Sequence, residues 1–233
     1  LAKAKGLISV PKTIEQVKHA SPSSHAVVPA APPRGPPMKI DFLEPGAPGW
    51  QDAAALIEGH FRASFEAEIR VAQVELATIS TSGGRLVGAA GLRDAERGFF
   101  SEVYLEQPVE TLLSRMSGVP VSREEIIEVV SLACPSRRAT LPLVDAITAE
   151  GRRRGMTWGL FTATAPLMAL LRRAEAPLLA LAEAAPERLV EARNWGRYYE
   201  TAPWVCALRD ARQSLRFMPA RAIPRIEEEP RCI

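Results

Sequence analysis

Apolar residues at Ala54, Ile57, Phe61, Phe65 and Ile69 recur every three or four positions, which predicts a helix from Trp50 to about Ile69. Ahead of it, Met38–Leu43 (MKIDFL) reads as a strand closed by the turn Glu44-Pro45-Gly46. In VAQVELATI (71–79) the pattern changes to alternation, with Ala72, Val74 and Leu76 on one side and Gln73 and Glu75 on the other. Ser82-Gly83-Gly84 supplies a turn, and LVGAAGLR (86–93) is a more buried partner strand, so the two predict a hairpin. A shorter extended segment is expected at Phe99–Leu105. Val109, Leu112, Leu113 and Met116 form a helical stripe with Gly118 as its cap.

The second half alternates strands with helices. Arg123–Ala133 is rich in β-branched residues and predicts a central strand. A helix is expected over 140–154, with Thr140 as N-cap, Pro142 in its first turn and Gly155 beyond its end. WGLFTA (158–163) is a strand, and Thr164 with Pro166 opens a helix reaching about Arg173. Leu178–Ala182 reads as a strand, Glu187–Arg193 as a short helix and Trp204–Leu208 as a final strand. The order predicts one α/β domain, a mixed sheet flanked by helices.

Composition divides the 233 residues. Residues 1–37 hold six prolines within 21–37 and most of the excess positive charge, which predicts an extended tail. The folded domain is expected over 38–215, with a charged, proline-containing tail over 216–233. The whole chain carries a formal net charge of +2, and the body is slightly acidic, so no nucleic-acid footprint is expected. Cys134, Cys206 and Cys232 lie far apart, which speaks against a disulfide framework or a metal site and for a reducing compartment. With no run of ~18 uncharged apolar residues and too short an apolar stretch at Gly6–Val10 for a secretory leader, a cytoplasmic protein is expected.

Candidate chemistry concentrates in REEIIEVVSLACPSRRATLP (123–142). A buried-type strand runs into a short loop carrying Arg137 and Arg138, then into a helix near Thr140. A helix N-terminus beside two arginines can hold a phosphate, or the arginines are a solvated pair at an ordinary turn. Glu128 stands among Ile126, Ile127, Val129 and Val130. It either pairs with an arginine or carries a raised pKa useful in acid–base chemistry. Trp195, Tyr198, Tyr199 and Trp204 concentrate aromatic side chains suited to a pocket wall or a packed lid. No nucleophile elbow, P-loop or dinucleotide fingerprint is present. His60 reads as a surface or core residue.

Four segments, AAGLRDAERGFFSEVYLEQPVETLL (89–113), SREEIIEVVSLA (122–133), WGLFTATAPLMALL (158–171) and WGRYYETAPWV (195–205), together resemble the thermostable hemolysin family. The resemblance implies a GNAT-like fold: a mixed, mostly antiparallel sheet with a splayed central strand pair, flanked by helices. It implies an N-acyltransferase that moves an acyl group from a pantetheine thioester, on coenzyme A or an acyl carrier protein, to a small amine, with no metal. Ser131, Leu132, Ala133, Arg137, Arg138 and Thr140 would then contact the donor. Glu128, or Glu102 beside Tyr104, would act as base, with Tyr104 or Tyr198 protonating the leaving thiolate. Family members usually read Glu-Val-Gly-Asn-Leu-Ala where this chain has Glu128-Val129-Val130-Ser131-Leu132-Ala133. That departure keeps open a non-enzymatic lytic or interaction protein on the same scaffold.

Overall fold

A computed structural model describes residues 38–209. The two predicted tails, and residues 210–215 of the predicted domain, lie outside the described residues. Strands β1 (Met38–Leu43), β2 (Glu75–Thr81), β3 (Leu86–Arg93), β4 (Ile126–Ala133), β5 (Trp158–Ala163), β6 (Leu178–Glu183) and β7 (Trp204–Arg209) form one sheet in the order β1-β2-β3-β4-β5-β7-β6. Every neighbouring pair is antiparallel except β4 and β5. A parallel pair needs a crossover, which helix α3 (Arg137–Arg153) provides. The other helices are α1 (Trp50–Phe65), α2 (Val109–Ser117) and α4 (Ala165–Arg173). No helix among the described residues is long and apolar enough to cross a membrane.

Strand alternation decides which helix covers which face. Leu76, Ala89 and Ala133 pack with Trp50, Ala53 and Ile57 of α1, while Ile126, Leu160 and Val205 pack with Leu112 and Leu113 of α2. Ala77, Ile79 and Ile127, pointing the other way, pack with Ala139, Leu143 and Ile147 of α3. Ala163 and Cys206 meet Met168 of α4 on that second face.

Several boundaries differ from the sequence expectation, each for a tertiary reason. The strand predicted over 71–79 starts only at Glu75, because the preceding backbone is tied to α1: Val71 N–H donates to Glu58, and Trp50 donates to the Val74 carbonyl. The segment expected to be extended at Phe99–Leu105 is a 3-10 turn over Phe100–Tyr104, whose first N–H groups are taken by Glu128. Arg123–Glu125 is also a 3-10 turn, closed by a capping box between Ser122 and Glu125, so β4 begins at Ile126. Helix α3 begins a turn earlier than expected. Ser136 stands at the N-cap instead of Thr140, since Ala139 and Thr140 are buried and packing carries the helix back over them. Pro142 therefore lies inside the helix. Two 3-10 turns, Pro186–Arg188 and Ala192–Trp195, replace the helix predicted over 187–193.

The feature that positions the site is the parting of β4 from β5. Their pairing runs from Ile126↔Trp158 to Val129↔Phe161 and stops, although β4 continues to Ala133 and β5 to Ala163.

Candidate functional site

At the point of parting, β4 carries a bulge. Val130 pairs with Gly91 and Ala133 with Ala89, so three steps along β4 match two along β3. Ser131, the bulged residue, takes φ +52, a left-handed conformation in which a non-glycine residue is strained. The paired registers on both sides skip Ser131 and Leu132. Gly91 allows this close approach, for a Cβ there would lie 2.7 Å from a methyl of Val130.

A cavity of about 640 Å³ opens at this gap and is lined from both faces of the sheet. Its size lies within the usual range for small-molecule sites. On the α3 and α4 face it is bounded by Cys134, Pro135, Arg137, Thr140, Leu167 and Arg173. The α3 N-terminus has no side-chain cap and no acidic residue in its first turn. Arg137 lies in that first turn and lines the cavity. Arg138 is beside it, exposed, and outside the lining. Thr140 is buried one turn in, near the Cys134 thiol, whose pKa burial raises and Thr140 lowers.

The α1 and α2 face contributes His60, Phe61, Phe65 and Arg70 from α1 and the chain after it, and Arg93 from β3. Phe100, Ser101 and Tyr104 come from the 3-10 turn, and Trp195 and Tyr198 from the late loop. The aromatic wall is self-supporting. Trp195 stacks on Phe100 at 5.8 Å, and Tyr198 stacks on Phe61 at 6.0 Å. Tyr199 stands behind it, its hydroxyl 2.6 Å from that of Tyr104. Burial pushes both tyrosines up in pKa, and their mutual hydrogen bond lowers Tyr104 while raising Tyr199. Trp204 is separated from this wall, packing with the α4 cluster on the other face.

The two candidate carboxylates differ. Glu128 is wholly buried. Its oxygens accept the N–H groups of Phe100 (2.6 Å) and Ser101 (2.7 Å). Burial raises its pKa, against the lowering effect of Ser101, Phe100 and Arg93. The Ser101 side chain also favours its charged form, and the Ser101 hydroxyl lies 3.1 Å from that of Thr162 on β5. Both hydroxyl residues line the cavity. Glu102 receives both terminal nitrogens of Arg123 at 2.6 Å and the Val109 N–H, and the Arg123 hydrogen bond holds it below the usual carboxylate range. It lies outside the cavity lining.

Sequence reasoning missed His60, Arg70, Arg93, Ser101 and Thr162. One signal was available for Arg93: once 86–93 is placed beside β4, its last residue falls opposite Glu128.

The sequence profile of the family described as thermostable hemolysin matches residues 43–213. No curated protein matches the chain in sequence. Two structures share the fold with a TM-score of 0.50. One is the AHL synthase LasI, at 11% identity over 75% of this chain and 91% of that one. The other is FeeM, an N-acyl amino acid synthase from uncultured soil microbes, at 12% identity over 76% of this chain and 94% of that one. The likeness shows a GNAT-like fold.

Proposed function

On the premise that the chain belongs to the thermostable hemolysin family, we propose that it is an N-acyltransferase moving an acyl group from a pantetheine thioester, on coenzyme A or an acyl carrier protein, to an amine. The observation that carries this reading is the cavity threading the gap between β4 and β5 at the bulge. A thioester arm laid along Ser131 and Leu132 would meet backbone that no neighbouring strand pairs. Its phosphates would reach the uncapped α3 N-terminus with Arg137 and Arg138. The amine would approach from the α1 side.

The amine nitrogen attacks the thioester carbonyl carbon, and a backbone N–H near Ser131–Ala133 supports the oxyanion. The carbon–sulfur bond then breaks. The amine proton passes to the Ser101 hydroxyl as that hydroxyl passes its own to Glu128, the general base. Glu102, committed to Arg123, holds that arginine and the start of α2. Tyr104, hydrogen-bonded to Tyr199 and lining the cavity, is placed to protonate the departing thiolate. The test is calorimetric titration with coenzyme A and thiol release from acyl-coenzyme A or an acylated carrier protein in the presence of amines. Binding and amine-dependent thiol release are expected. Absence of both, with every donor, contradicts the reading.

A further inference from the structure

We propose that the α1-side half of the cavity is a site for an amine carrying its own compact anion, a carboxylate or a phosphate, held by Arg93 and Arg70. This deepens the acyltransferase reading and rests on it. Arg93 stands opposite Glu128 in the β3–β4 register and forms a loose ion pair with it at 3.8 Å, without a hydrogen bond. Glu128 instead takes its hydrogen bonds from the turn. The guanidinium is fixed by two neutral carbonyls, Nε donating to Gly98 at 2.8 Å and Nη2 to Arg97 at 2.6 Å. Those bonds fix its position and, with Glu128 facing only the Nε side, leave Nη1 without a partner among the described residues. A pre-organised guanidinium in a partly desolvated wall suits a carboxylate or phosphate.

Arg70 is the second cation. Its side chain is 88% exposed, and its ion pair with Glu58, at 3.3 Å, is of the exposed kind that holds a side chain weakly. His60, with its pKa lowered by burial, adds no further positive charge near pH 7, and it makes no hydrogen bond among the described residues. Four arginines and no carboxylate line the cavity among the described residues. A simple amine, cationic at neutral pH, is repelled by such a wall. One bearing its own anion enters without net positive charge, and its anion brings the amine to the gap between β4 and β5.

The test uses the full chain with octanoyl-coenzyme A as donor. Glycine, phenylalanine and O-phosphoethanolamine are compared with glycinamide, phenethylamine and ethanolamine, by thiol release and by calorimetric binding. The anionic member of each pair is expected to show at least about tenfold lower KM or Kd, the gain from charge-assisted pairing. The carboxylate and phosphate arms identify which anion is taken. Arg70→Gln is expected to raise the acceptor KM by about tenfold with the donor KM unchanged, and Arg137→Ala to do the reverse. Donor binding with equal handling of anionic and neutral amines overturns this inference alone. Absence of donor binding and of thiol release overturns the acyltransferase reading and this inference with it.

Discussion

The two rims of the cavity are both cationic and are built in opposite ways. On the α3 side, Arg137 sits exposed in the first turn of a helix, free of acidic partners among the described residues, and most of the rim comes from one run of chain, β4 into α3, with Leu167 and Arg173 of α4 beside it. On the α1 side, Arg93 is locked by carbonyls within a wall of packed aromatics, and the rim is gathered from α1, β3, the 100–104 turn and the 195–199 loop. One rim is open and built mainly from one stretch of chain, the other pre-organised and assembled from distant segments. The first suits the long, charged end of a donor, whereas the second can select a small acceptor by shape and charge.

Glu128 lies where the two halves meet, and Glu128→Gln is the change of largest expected effect. The amide keeps the shape but cannot take a proton, so turnover should fall by about 10²–10⁴-fold while donor affinity holds. Because burial raises the Glu128 pKa, the acid limb of the kcat/KM profile should lie above the ~4.3 of an ordinary glutamate. The stability linkage has the opposite sense. The raised folded-state pKa means that the stability tied to the protonated group is full below the unfolded pKa and lost as pH rises through the folded one. Wild type should therefore lose stability relative to Glu128→Gln on going from acid to neutral pH, as read from paired melting curves. Near-normal turnover in the variant would leave Glu128 as an anchor of the turn.

Gly196→Ala should break the acceptor rim selectively. Gly196 has φ +52 and ψ −126, and a Cβ there would lie 2.2 Å from the Phe65 carbonyl oxygen. That contact is where the 195–199 loop docks on the end of α1, through Arg197 N–H to Phe65 at 2.7 Å. A cost of about 3 kcal/mol is expected, lowering Tm by roughly 6–12 °C. Coenzyme A binding at temperatures well below the melt should survive. Loss of donor and acceptor binding together would show that the rims are not separable.

The donor rim is tested by Arg137→Ala with Arg138→Ala, which should weaken coenzyme A binding by about 10–100-fold and flatten its salt dependence. Unchanged affinity would make the pair a solvated surface. The smallest effect is expected at Ser131→Gly, which relieves the left-handed backbone and should add up to ~1 kcal/mol, or a few degrees in Tm. A loss of stability there would mean that the Ser131 side chain outweighs the strain.

The same contrast explains what the sequence made legible. The succession of the seven strands along the chain, the hairpin turn at Gly84 and the cap at Gly118 follow from local periodicity and positive-φ glycines, and the structure contains each of them. The loop carrying Arg137 is also legible as one stretch of sequence, and Arg137 lines the cavity from the first turn of α3. The acceptor rim needs pairings no local pattern carries. Phe99–Leu105 looks extended by composition and is bent by a carboxylate 28 residues from Phe100. His60 reaches the cavity only because α1 lies on the face where the sheet opens. Trp204, close in sequence to the aromatic segment, falls on the opposite face because β7 alternates through it.

The central claim is that a donor arm occupies the gap between β4 and β5 with its carbonyl at the bulge. A crystal structure with a non-hydrolysable acyl-coenzyme A analogue tests it most directly. The account predicts the thioester-mimicking carbonyl within hydrogen-bond distance of a backbone N–H between Ser131 and Ala133, the phosphates at the α3 N-terminus, and the acyl carbon accessible from the Ser101 and Thr162 side. An analogue bound elsewhere on the chain, or lying along one face of the sheet without entering the gap, would contradict it.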